Sequence, residues 1–230
     1  MEQRTTRQRV VRRLANVLLI AGGLVLAYPF WSAAYAHYHQ DRLASEYRQA
    51  SATFGAKARA VTSVVGRQPS PEVRARRLAA AFKRGLEPGD PIGRLVIPRI
   101  GLDRIVAQGA TGAGSLSPAA DTVYLRGGPV HHGVTPLPGA GEPFAVAGHR
   151  TTYGAPFYHL DALRRGDAIV VDTPYGRFTY RVAKTTTVLP SDVAVLYDRG
   201  YALVLTTCTP RYSASHRLVV WATAGPFRLK

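Results

Sequence analysis

The chain has 230 residues, 46% of them hydrophobic, with 22 Gly, 16 Pro and a single Cys, which allows one β-rich domain with appendages and excludes an intrachain disulfide or a thiolate metal cluster. Net charge is +16, with 15 Lys/Arg against 6 Asp/Glu in residues 1–90 and 15 against 8 beyond, so the basic excess has no single block and suits an anionic surface such as lipid or cell-wall polymer. Nucleic acid is not an expected partner, because zinc-finger spacing, an aromatic RNA-binding signature and a basic recognition helix are all missing.

Residues 1–13 carry Arg4, Arg7, Arg9, Arg12 and Arg13 and form a basic tip. Residues 14–36 are an uncharged run of 23, which as a helix spans roughly 35 Å and predicts a transmembrane signal anchor. Tyr28, Phe30, Trp31 and Tyr35 near its far end fit an interfacial belt. The arginine bias puts the N-terminus in the cytoplasm and the rest outside, as a single-pass cell-membrane protein. A cleavable signal ending at Ala34-Tyr35-Ala36 is the alternative, and it exports the same domain.

Residues 37–90 read as an extracellular helical, basic linker. A helix continues over 38–59, a break falls at 66–71, and a second helix over 72–84 has Val73, Leu78, Ala81 and Phe82 on one side. Such basic helices predict a solvated stalk. From residue 91 to 230 the texture changes to short β-type runs between Gly and Pro breaks. Strands are predicted at 94–98, 103–108, 122–125, 144–147, 168–172, 177–188, 202–207 and 218–224, with one short helix at 156–165. The fold class is mainly β, an eight-stranded barrel with one or two short helices, preceded by the N-terminal transmembrane helix.

Three side chains stand at strand ends. Cys208 closes ALVLTTC before Pro210, His149 follows FAVAG, and Arg217 opens RLVVWA. A thiol of pKa about 8.5 is mostly protonated at neutral pH and needs a base to become a nucleophile. His can take that proton and return one to a leaving amine, while a fixed guanidinium stabilises the oxyanion formed on attack. Arg211 is a rival for the guanidinium role; Arg217 is preferred because a strand aims it more rigidly. Thr207 and Tyr153 are candidate substrate contacts. His131 and His132, in the Gly/Pro-rich loop 127–141, read as surface residues, and His159 and His216 as structural. The acids of residues 91–230 are scattered, so no metal and no cofactor are expected.

These stretches resemble the sortase family. TTCTPRYSASHR, with Cys208 and Arg217 nine positions apart, looks like the sortase Cys–Arg signature. AGHRTTYGAPFYHLDALRRGD looks like the catalytic-His segment of class E, and GRLVIPRIGLDRIVAQG like the opening strands. The resemblance spans residues 92–225 and implies a sortase-like eight-stranded barrel in which Cys208, His149 and Arg217 converge. It further implies a cysteine transpeptidase acting on secreted proteins with a C-terminal LPXTG- or LAXTG-like sorting signal; a monomer is the simplest expectation. The signal is cut between Thr and Gly through a thioacyl on Cys208, and the protein passes to a peptidoglycan-precursor amine. Competing readings are a pilin-polymerising sortase, with residues 72–91 folded over the groove, and a non-catalytic, membrane-anchored wall-binding module with a buried Cys. An L,D-transpeptidase is disfavoured because Thr206-Thr207, not Ser-x-Gly, precede Cys208, and a papain-like protease because His precedes Cys here.

Overall fold

The computed structural model describes residues 2–62, 69–110, 116 and 122–230. Helix α1 (Glu2–Thr62) is continuous through the uncharged run. It is long and apolar enough to cross a membrane. Leu19, Leu26 and Phe30 there stay 74%, 74% and 80% exposed.

Past the run, α1 does not stand free. Leu43 and Tyr47 pack with Ile105, Ala107, Leu125, Val130 and Ala147. The reason is an unpaired edge. Strand β2 (Leu102–Gln108) meets β3 (Val130–His131) only at Ala107 and Gln108, leaving the backbone of Ile105 without a strand on that side. The Gln40 side chain fills the gap: Oε1 accepts from Ile105 N (2.8 Å), and Nε2 donates to Ile105 O (3.1 Å) and Gly127 O (2.9 Å). Gly128, at φ +143°, makes room, since a Cβ there would lie 2.3 Å from Gln40 Nε2. Tyr47 adds a bond to Asp172 O (2.6 Å).

Helix α2 (Pro71–Lys83) starts with Ser70 as N-cap and Pro71 in its first turn. The predicted break at 66–71 otherwise lies outside the described residues. The expected stalk is corrected here, because Ala75, Ala79 and Phe82 are buried in the main core, while Val73 is 39% exposed. The docked stripe is made largely of alanine. Lys83 Nζ donates to Gly133 O (3.1 Å) and Thr135 O (2.6 Å) and ties the helix to the loop after β3.

The remaining strands are β1 (Pro91–Ile97), β4 (Phe144–Ala147), β5 (Ala168–Thr173), β6 (Gly176–Val188), β7 (Leu203–Thr209) and β8 (His216–Leu229). They close a barrel in the order β1-β2-β3-β4-β7-β8-β6-β5. The β2–β3 and β4–β7 pairs are parallel and the rest antiparallel. Phe144, Val146, Leu203, Leu205, Leu218 and Val220 point into the barrel. Their alternates Ala145, Val204, Val219 and Trp221 face out, under Leu116 and Leu196.

The eight-strand expectation holds, with one member exchanged. Residues 122–125 form helix α3 (Thr122–Leu125), and the strand is instead the short β3. The helix expected at 156–165 is only a 3-10 turn, Leu160–Ala162. Leu160 is buried in it, with Phe157 before and Leu163 after the turn buried as well. His131 and His132 are buried, not on the surface. His131 Nδ1 and Nε2 meet Gln108 Oε1 (3.0 Å) and Thr135 Oγ1 (2.9 Å), and His132 Nε2 meets Thr206 Oγ1 (3.2 Å).

Two stability effects follow. Gln40→Ala orphans both backbone groups of Ile105 and should cost about 1–3 kcal/mol, read as a lowered Tm of the full chain in detergent. Burial drives His131 well below its ordinary pKa and His132 down to about 4. Below about pH 6.5 the unfolded chain binds protons that the folded chain does not, so stability is lost as pH falls toward 4. Tm should therefore be lower at about pH 5 than at about pH 7.5, and His132→Gln should narrow the difference.

Candidate active site

The site lies where β4, β7 and β8 run side by side. The parallel pair β4–β7 holds one register from Phe144↔Leu203 to Ala147↔Thr206. Beyond the ladder the register is carried on by Gly148 N to Thr206 O (3.1 Å) and by Thr207 Oγ1 donating to Gly148 O (2.7 Å). His149 therefore comes level with Cys208. On the other side, the antiparallel register pairs Cys208 directly with Arg217. Cys208 and Arg217 thus lie side by side on paired strands, Cα atoms about 5 Å apart, and the β4–β7 register counted on past Ala147 puts His149, in the loop after β4, at the end of the same row. Cys208 has the parity of Val204 and Arg217 that of Val219, so both lie on the barrel's outer face.

Cys208 is free and half-buried. Arg217 is 4% exposed. Its guanidinium is held by carbonyls alone: Nε donates to Leu116 O (3.2 Å) and Nη1 to Ala214 O (2.9 Å) and His216 O (3.0 Å). Among the described residues no carboxylate neutralises it, and Nη2 is left for another acceptor. Buried cations held this way keep their full charge for an anion that arrives later.

His149 follows Gly148, where a Cβ would lie 2.5 Å from the Phe157 ring. Only glycine lets that ring seat beneath the loop. The imidazole packs against Tyr153, centroids 5.1 Å apart, and its Nε2 is buried without a partner. Burial first, and then the charge of Arg126, lower its pKa to about 4, so it is neutral at pH 7 and fit to accept a proton.

The other sequence candidates fall around this row. The Thr207 hydroxyl is buried and spent on Gly148. Tyr153 lies over the His149 ring and touches α1. Arg211 is engaged elsewhere, paired with Asp161 (3.2 Å) and stacked over Tyr158 (4.3 Å). Arg150 was not singled out from sequence, yet it is 5% exposed. Its Nη1 reaches Cys208 O (3.3 Å) and Thr209 Oγ1 (3.1 Å), and its Nη2 pairs with Asp161 (2.8 Å). It fastens the His149 segment to the end of β7. Its one signal in the sequence was a position next to His149. Helix α2 does not cover the row: Ala75 shares a cavity with Gly139, Phe178 and Ala202, and Ala202 lies roughly 20 Å along β7 from Cys208.

A family model described as the sortase domain matches residues 95–224. Sortase SrtE1 of Streptomyces coelicolor is 34% identical over 146 residues, covering 59% of this chain and 40% of that protein. The chain thus spans well under half the length of that curated relative. The crystal structure of sortase E1 from Streptomyces coelicolor with tripeptide in the active site matches with a TM-score of 0.53 and 30% identity, covering 63% of this chain and 94% of that one. For sortase E from Streptomyces avermitilis the TM-score is 0.51 and the identity 33%, over 62% of this chain and 93% of that one. With more than half of its length matched by the family model, the chain belongs to the sortase family and is close to its class E members.

Proposed function

We propose that the chain is a membrane-tethered cysteine transpeptidase, with Cys208 as nucleophile, His149 as general acid and base, and Arg217 as oxyanion clamp. The observation that carries this is the cross-strand pair Cys208–Arg217, with the β4–β7 register, counted on past Ala147↔Thr206, bringing His149 to the same level. The substrate is a secreted protein with a C-terminal LPXTG- or LAXTG-like signal, a reading supported by the class E likeness. Cys208 Sγ attacks the Thr carbonyl carbon, and neutral His149 takes the thiol proton. The developing oxyanion lies against the guanidinium of Arg217. The C–N bond breaks as His149 returns the proton to the leaving Gly amine, leaving a thioester on Cys208. An incoming amine, that of a peptidoglycan precursor, attacks the thioester. The C–S bond breaks, and the amine's proton passes through His149 to the thiolate.

Retention of the anchor is supported by the unbroken helix through Ala34-Tyr35-Ala36 and by the burial of Ala36. The arginine bias supports a cytoplasmic N-terminus and an extracellular barrel. The half-buried thiol favours the enzyme over a wall-binding module with a buried Cys, and the distance of α2 from the row counts against a lid of the pilin-polymerising kind.

The full chain in detergent, given an LAXTG peptide and triglycine, should yield the transfer product by mass spectrometry. Cys208→Ala should give neither thioester nor product, and Arg217→Ala should lose about 100-fold or more in kcat. Alkylation-resistant Cys208 together with no cleavage would instead establish the wall-binding module. Because a neutral His149 is the base and its pKa is near 4, the acid limb of kcat/KM should lie well below the ordinary imidazole value of about 6.5. Arg126→Gln removes a positive neighbour and should move that limb upward.

A further inference from the structure

The barrel-facing stripe of α1 begins inside its uncharged run. Tyr28, Ser32, Tyr35, Ala36, His39, Gln40, Leu43 and Tyr47 recur at helical spacing, and Ser32 and Ala36 are buried to 3% and 5% exposure. The upper end of the apolar run therefore touches the barrel, and it does so at one loop. Tyr28 Oη lies 3.3 Å from Tyr153 Oη, as donor to it. The Tyr28 and Tyr35 rings meet Tyr153 nearly edge-on at 6.4 and 6.3 Å. Arg126 stands over the Tyr153 ring at 5.8 Å. Gly154 stands next to the helix: a Cβ there would make ordinary contact with Ala36 Cβ, at 3.5 Å.

The same loop is strained. Tyr153, Gly154 and Ala155 have φ of +51°, +71° and +42° in succession. Side-chain-bearing residues rarely adopt this region, and they keep it only when the surroundings hold them there. The helix supplies that hold from one side and the seated Phe157 from the other. Tyr153 in turn packs on His149.

We propose that Tyr28 and Tyr35 of the anchor helix clasp Tyr153, and that Tyr153 positions the imidazole of His149, so that the membrane-exit turn of α1 is a working part of the active site. This rests on the transpeptidase reading above for its catalytic consequence, though not for the clasp itself. Tyr153, Tyr28 and Tyr35 are positioning residues, acting through His149. The coupling also fits the place of the chemistry: an anchor helix seated in a bilayer completes the site, and one pulled out of register with the barrel loosens it.

The charged and titratable groups around the cluster are Tyr28, Tyr35, His37 and His39 of α1, Arg104 of β2, Arg126 after α3 and Tyr153 of the loop itself. Among the described residues no carboxylate is one of them. Loosening the clasp admits water to His149 and has no new counter-ion to supply, so its pKa should move up toward the ordinary value.

The test uses the full chain in lipid nanodiscs with His149 titration followed by NMR, alongside kcat and KM for the transfer reaction. Tyr153→Ala and the double change Tyr28→Ala, Tyr35→Ala should each raise the His149 pKa and lower kcat about 10- to 100-fold, with KM little changed. Tyr153→Phe keeps the ring and should stay near the parent in kcat. Phe30→Leu, on the exposed face of the same turn, should leave the titration unmoved and so controls for helix insertion. An unshifted His149 titration in the double variant overturns the clasp. A Tyr153→Ala variant with raised KM and an unshifted titration overturns it too, and makes Tyr153 a substrate contact. If the parent shows no transfer, the transpeptidase reading fails, while the titration still decides whether the helix positions His149.

Discussion

The site depends on the register of β7 between its two neighbours. A slip of one residue in a strand turns every side chain to the other face. Here a slip of β7 would send Cys208 toward the barrel interior and bring Thr207 or Thr209 into the row. What forbids it is ordinary hydrophobic patterning. Leu203 and Leu205 need the interior that Phe144 and Val146 share, while Val204 belongs with Ala145 and Val219 outside. The packing of the core thus sets the chemistry of its edge. Where the ladder ends, the Thr207 hydroxyl bonded to Gly148 and the Arg150 guanidinium bonded to Cys208 O continue to tie the His149 segment to β7.

Charge is distributed with the same economy. Asp161 is committed to Arg150 and Arg211. Arg217 is left to three backbone carbonyls, which fix its direction without cancelling its charge. A carboxylate partner would hold the guanidinium as firmly, but it would neutralise the charge that the proposed oxyanion role requires. His149 follows a matching logic: burial and a cation at moderate range keep it neutral, and neutrality is the state from which it can take a proton.

Much of this could be read in the sequence, for physical reasons that differ from residue to residue. FAVA and ALVLTTC are unbroken apolar runs ending at polar residues, so the strands β4 and β7 and their terminal His149 and Cys208 stood out. Arg217 was legible from its strand-start position. Other features depend on contacts between distant segments. His131 and His132 sit in a Gly/Pro-rich stretch that looks like surface, and only Gln108, Thr135 and Thr206, brought from elsewhere, make their burial affordable. Arg150 carried no signal beyond its place next to His149, because the partners that bury it, Cys208, Thr209 and Asp161, come from distant segments. The residues 122–125 carry a β-type composition, but the edge of β2 is taken by β3 and Gln40, leaving TVYL no strand to join. The docked face of α2 escaped notice because Ala75 and Ala79 carry little hydrophobic signal among the arginines around them.

The edge of β2 links these points to the membrane. A barrel whose second strand is paired for only two residues carries an orphaned stretch of backbone, and exposed edges of that kind invite pairing with other chains. This chain covers the stretch with its own anchor, through a single glutamine that imitates a strand. The consequence is geometric. Gln40 and Tyr47 bind the barrel at Ile105 of β2, at Gly127 and at Asp172 of β5, so α1 is fastened to it at several points. The helix continues upstream from these points to the turn Tyr28 to Ala36, which meets the loop of Tyr153. The contact between anchor and His149 loop is therefore a by-product of repairing a sheet edge, and the same bonds that close the barrel set where its active row stands relative to the end of the apolar helix.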